Sequence, residues 1–109
     1  MSPKKFEKLF KEIVKRNNKT ALAKNEEYAT VSDKLHNFKR AASMLQCTPE
    51  KALVGMWTKH IISILDIVDK IDSDKNIVLT KLILEEKIGD AMIYLALLEG
   101  IIKERYGWV

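Results

Sequence analysis

The chain has 109 residues, room for one domain and not for two, with 47% apolar and 31% charged residues. Four glycines and two prolines are too few for a turn-rich all-β fold, and the single cysteine, Cys47, excludes an internal disulfide. The uncharged apolar stretch Ala91 to Leu98 is far too short to span a bilayer, and no apolar segment follows the N-terminal lysines as in a secretory signal, so a cytosolic globule with no membrane segment is expected.

The formal charge of +4 is unevenly placed. Residues 1–24 carry eight basic groups against Glu7 and Glu12, and the rest of the chain is slightly acidic. A basic first helix can meet nucleic acid or another polyanion, and it can equally be a solvated face.

In chain order, Ser2 can cap and Pro3 fits the first position of a helix over 3–17, with Phe6, Leu9, Phe10, Ile13 and Val14 at helical spacing up to the Asn17-Asn18 break. Residues 19–32 are polar and mixed, with a short helix around Ala21 to Glu27. Ser32 or Asp33 is expected to cap a second helix over 33–46, whose apolar side is Leu35, Phe38, Ala42 and Leu45. Thr48-Pro49-Glu50 opens a third over 49–71, Ser73 to Asn76 make a turn, and a last helix over 77–106 ends before Gly107 as the natural C′ residue. The expected fold is therefore all-α, a single domain built as a bundle of about four long helices, antiparallel where loops are short. Apolar arcs this wide also suggest a homodimer.

Two helices carry candidate chemistry. On the third, Leu53, Met56, Trp57, Ile61, Ile64, Ile67, Val68 and Ile71 fill one arc, with His60 in its middle and Lys59, Ser63, Asp66 and Lys70 as a polar stripe beside it. The histidine is either a hydrogen-bonded core residue or a ligand, and the stripe either an intrahelical ion-pair ladder or part of a site. On the last helix, Ile88 to Leu98 is apolar or glycine except for Asp90 and Tyr94, while Lys81, Glu85, Glu99 and Lys103 gather on the opposite, solvated side. Asp90 is thus expected to point inward, where a carboxylate needs a cation, a metal or several donors. It either pairs structurally with Lys59 or belongs to a metal or substrate site between helices. There is no zinc-spaced Cys/His cluster, no Gly-rich phosphate loop and no G-x-S-x-G context around Ser63. Carboxylates with an oxygen-loving metal are the chemistry left.

Four stretches occur together: K-N-E-E-Y-A from Lys24, S-D-K-L-H-N-F-K-R-A-A from Ser32, T-K-H-I-I-S-I-L-D from Thr58 and E-E-K-I-G-D-A-M-I-Y-L-A-L-L from Glu85. Their order, covering residues 20–103, resembles a family of small phage and prophage proteins close to the nucleotide modification associated domain 1 group, itself similar to the all-α nucleotide pyrophosphatases of the MazG type. The basic segment 1–18 lies outside the match. The resemblance implies a MazG-like bundle, a phage nucleotide-binding or nucleotide-processing role in the cytoplasm of a bacterial host, and Mg²⁺ as cofactor. It implies Lys24, Tyr28, Asn37, Lys59, His60 and Tyr94 on the nucleotide, and Asp90 on the metal helped by Asp33 or Glu86. The pyrophosphatases pair E-x-x-E with E-x-x-D, but here Lys87 stands three before Asp90 and no clear E-x-x-E precedes it, so binding is the expectation rather than hydrolysis. The alternative is a non-enzymatic interaction module docking a nucleic acid or a phage protein through the basic first helix.

Overall fold

Four helices make up the architecture of the computed structural model, which describes residues 1–27, 33–73 and 77–109, with the backbone alone for 24–27. They are α1 (Pro3–Glu27), α2 (His36–Leu45), α3 (Pro49–Ser73) and α4 (Lys81–Tyr106), and no strand occurs among the described residues. The chain divides into two compact units, Met1–Lys34 and Leu35–Val109.

The first unit is built on α1. Ser2 Oγ accepts from the Lys5 amide at 3.2 Å, satisfying one of the orphan donors of the first turn. The Asn17-Asn18 pair does not end this helix, as the sequence reading expected. Asparagine costs only a few tenths of a kcal/mol more than a good helix former, roughly 0.5 kcal/mol, and Ala21, Leu22 and Ala23 beyond it favour continuation. Thr20 reinforces the junction by donating its hydroxyl to the Arg16 carbonyl at 3.1 Å.

In the second unit the start of α2 departs from expectation. Ser32 lies outside the described residues, Asp33 does not cap, and the helix opens at His36 with Leu35 at the N-cap, which offers no side-chain bond. A buried Leu35 in a short turn replaces the cap: Phe38 and Lys39 amides both donate to its carbonyl at 3.1 Å. At the other end Gln46 takes the left-handed conformation, φ 54°, and the Cys47 amide reaches the Ala42 carbonyl at 3.0 Å.

The third helix starts as its sequence signal indicates, with Pro49 at N1 and Thr48 Oγ1 accepting from the Lys51 amide at 3.2 Å. The last helix begins at Lys81 rather than Ile77, because Thr80 is extended (φ −87°, ψ 148°) and its hydroxyl accepts from the Ile83 amide at 3.1 Å. Its end is the expected one: Gly107 is left-handed (φ 70°), and the Trp108 amide bonds the Lys103 carbonyl at 2.8 Å.

The core of this unit gathers Leu35 and Phe38 from α2, Leu53 from α3 and Ile101 from α4, with Met56, Trp57, Tyr94, Leu97 and Leu98 packed against it. Leu53 is wholly buried, worth about 2 kcal/mol of apolar transfer by itself. The α3 arc is not uniformly inward: Val68 and Ile71, at its C-terminal end, are exposed. α3 and α4 run antiparallel, since Glu50 in the first turn of α3 meets Arg105 in the last turn of α4.

Candidate functional site

Tyr94 is the point where three helices meet. Its ring lies edge-on to Phe38 of α2, centroids 5.9 Å apart and planes at 78°, and tilted against His60 of α3 at 4.6 Å and 45°. The edge-on geometry sets the positive ring edge against the negative face, the favoured arrangement for an aromatic pair. His60 is half-buried in the apolar arc of α3, so its imidazole packs against Tyr94 and keeps access to solvent.

Around this junction the expected site residues fall into two groups. His60 and Tyr94 come together with Phe38. Asp90 is half-buried on α4, four residues before Tyr94 and therefore on the same side of the helix. Lys59 and Asn37 are exposed neighbours of His60 and Phe38 in sequence, Glu86 is exposed one turn before Asp90, and Asp33 is half-buried ahead of α2. The side chain of Lys24 and the whole of Tyr28 lie outside the described residues.

The electrostatics are milder than the sequence suggested. No charged side chain among the described residues is fully buried, so Asp90 keeps part of its hydration and the desolvation cost that demanded a partner is reduced. Among the described residues no three His, Cys, Asp or Glu side chains gather as a ligand set for a metal ion.

The polar stripe of α3 behaves as a helix face. Lys59, Asp66 and Lys70 are exposed, and Ser63 donates its hydroxyl to the Lys59 carbonyl at 3.2 Å. On α4 the opposite side is solvated as expected, with Lys103 on Glu99 at 3.1 Å and Lys81 on Glu85 at 3.7 Å, both four apart.

Two long-range ion pairs were not legible in the spacing. Arg105 engages Glu50 through two parallel bonds, Nε to Oε1 at 2.5 Å and Nη2 to Oε2 at 2.9 Å, and Lys39 reaches Glu104 at 2.6 Å. The hydrogen bond from Arg105 holds the Glu50 carboxyl below the usual range and raises the guanidinium in turn. The Glu50–Arg105 pair had one sequence signal, an acid in the first turn of α3 and a base in the last turn of α4, each favoured by its helix dipole.

No helix of the described residues is long and apolar enough to cross a membrane. No family model, curated protein or solved structure matches this chain.

Proposed function

We propose that the protein is a non-enzymatic helical interaction module whose basic first helix docks on nucleic acid. The observation that carries this reading is the two-sidedness of α1. Lys4, Lys8, Lys11 and Lys15 recur at spacings of four, three and four, one stripe about 17 Å long. Phe6 and Phe10 lie on the other side, 55% and 50% exposed, with ring centroids 6.2 Å apart. Lys11 is tied to Glu7 at 3.0 Å, and the stripe keeps a clear excess of positive charge. A lysine row meets backbone phosphates and releases their counterions, and exposed aromatic rings offer stacking surfaces to unpaired bases.

Fluorescence anisotropy with labelled duplex and single-stranded DNA tests it. Four lysine–phosphate contacts give a salt slope of about −3.6 on duplex, hence a loss of roughly 100-fold in affinity between about 50 and 200 mM salt. Replacing Lys8 and Lys11 by Gln is expected to halve that slope. Binding that is indifferent to salt, or unchanged by the double replacement, contradicts the reading.

The ring contacts at Tyr94 favour a second reading, a nucleotide site at the α2–α3–α4 junction. The motif resemblance to the phage proteins and MazG-like enzymes supports it. In this reading His60, Tyr94 and Asn37 contact base or ribose, and Lys59 faces the phosphates. Mg²⁺ brought by the nucleotide would be held by the Asp90 carboxylate, with Glu86 one turn earlier on α4 assisting. The protein would then act in the cytoplasm of a bacterial host as a nucleotide-binding accessory rather than a hydrolase, because Lys87 holds the place of an expected carboxylate. A melting point raised by nucleoside triphosphates with Mg²⁺, and not in His60→Ala, selects this reading; saturation at about 100 Kd corresponds to about 2.7 kcal/mol.

A further inference from the structure

We propose that the face of the α3–α4 hairpin turned away from α2 is a homodimer interface, on which a second copy of this hairpin completes a four-helix bundle. This does not rest on the nucleic-acid reading: it concerns different residues and stands or falls separately.

The face follows from which sides of α3 and α4 are already occupied. On α4, Glu104 points to α2, where it meets Lys39, and Arg105 points to α3, where it meets Glu50. About 60–80° further round, at 100° per residue, lie Leu84, Leu95 and Ile102. On α3, Glu50 points to α4, and Ala52, buried nearly opposite to it, marks the side taken by α2, the other helix packed on α3. Val54, Ile61 and Leu65 fall beyond the α4 contact. Both sets lie on the same side of the hairpin, the one α2 does not cover.

The sequence spacing along this face is that of helices built to pack on helices. On α4, Leu84, Ile88, Ala91, Leu95, Leu98 and Ile102 recur at spacings of four, three, four, three and four. On α3, Val54, Ile61, Leu65 and Val68 keep the same register, with Thr58 filling the missing position. Such a seam is the pattern of knobs-into-holes packing at shallow crossing angles, the geometry of four-helix bundles. Ala91 is buried and Leu98 packs on the core of its own unit, while the outer positions of the seam stay open: Leu65 is 53% and Leu95 48% exposed, and Val54, Val68 and Leu84 are exposed as well.

Three observations favour a second copy over another occupant. The 25-residue α3 gives a face about 38 Å long and two helix widths across, about 750 Å² per copy, so self-pairing removes about 1,500 Å² in total, the size of a standard stable interface. The rim beside the α4 seam carries balanced charge, Lys81 with Glu85 and Lys103 with Glu99 in the same helix, so a strongly charged partner meets no net opposite charge there. An antiparallel hairpin also presents two equivalent directions along its face, which a two-fold axis through its middle satisfies with the same residues on both sides.

The test uses the full chain. Sedimentation equilibrium over a dilution series is expected to give twice the 12.5 kDa chain mass, and Leu65→Glu with Leu95→Glu is expected to return it to the single-chain mass with its helical circular dichroism retained. A second variant guards against misfolding of the first. With Cys47→Ser as background, Leu95→Cys near the middle of the seam is expected to be joined between copies by a short bis-maleimide, and Ser43→Cys on α2 is not. A wild type that stays at the single-chain mass at every concentration gives the face to some other occupant and overturns the proposal. So does a double-Glu variant that remains at twice the mass, or equal cross-linking through positions 43 and 95.

Discussion

Arg105 grips both carboxylate oxygens of Glu50, at 2.5 and 2.9 Å, and thereby pins the end of α4 to the beginning of α3. A fork-to-fork guanidinium–carboxylate pair is directional as well as charged, so it fixes the register of the hairpin more firmly than a lysine would. Because the pairing lowers the Glu50 value in the folded chain below its ordinary 4.5, its contribution to stability is fully present above that pH. It is lost as pH falls through the lowered folded-state value. Urea midpoints of the wild type measured from neutral pH downward should therefore fall more steeply below about pH 4.5 than those of Arg105→Met. Parallel curves for the two proteins would remove the pair from the account of acid stability.

Leu53 should be the most sensitive apolar position in the second unit. It is fully enclosed where α2, α3 and α4 meet, so Leu53→Ala loses the transfer energy of the deleted atoms and leaves a cavity, together about 2–5 kcal/mol. Val54, next to it but exposed, is expected to tolerate alanine within about 1 kcal/mol as long as the protein is held dilute and single-chain. Denaturant titration of the two variants distinguishes them, and equal losses would mean that the burial contrast between these neighbours is wrong.

Much of this was legible in the sequence, and the misses share a cause. Local chemistry read correctly wherever it had one clear alternative: Ser2, Thr48-Pro49 and Gly107 mark helix ends that the structure keeps. It failed where a weak local signal competed with a continuous pattern, as at Asn17-Asn18, or where tertiary burial replaced a cap, as Leu35 does for α2. The meeting of His60 with Tyr94 was foreshadowed by apolar periodicity on two helices. The amphipathic arc of α3 could not reveal how far along its length a partner helix would lie, so the exposure of Val68 and Ile71 needed the tertiary arrangement. Pairings such as Lys39 with Glu104 span 65 residues and leave no periodic trace.

Gln46 offers a stabilising change. It is the one non-glycine residue with positive φ among the described residues, at φ 54° and ψ 47°, a conformation that costs an L side chain about 1–2 kcal/mol. Glycine removes that strain while adding freedom to the unfolded chain, so Gln46→Gly is expected to gain up to about 1 kcal/mol. The mirror experiment, Gly107→Ala at φ 70°, should cost about 1 kcal/mol, since open space around Gly107 leaves backbone conformation as the only penalty. Thermal melts showing Gln46→Gly below the wild type would mean that the Gln46 side chain contributes a contact larger than the strain it carries.

The edge-on pair of Phe38 and Tyr94 should be measurable as a coupling rather than as two separate burials. The two rings join α2 to α4, and an aromatic pair at this separation is worth about 0.5–1.5 kcal/mol beyond the area it covers. A double-mutant cycle with Phe38→Leu and Tyr94→Leu keeps apolar bulk at both positions and removes the ring geometry. The double variant is expected to be less destabilised than the sum of the singles by about 1 kcal/mol, because the second ring has lost its partner already. Tyr94→Phe serves as the control: it keeps both ring contacts and removes only the hydroxyl, so it should preserve the coupling while shifting stability by no more than a single hydrogen bond, about 1 kcal/mol. A coupling below about 0.3 kcal/mol, within the additivity of independent sites, would show that α2 is held by Leu35 and the ion pair to Glu104 instead of by its aromatic ring.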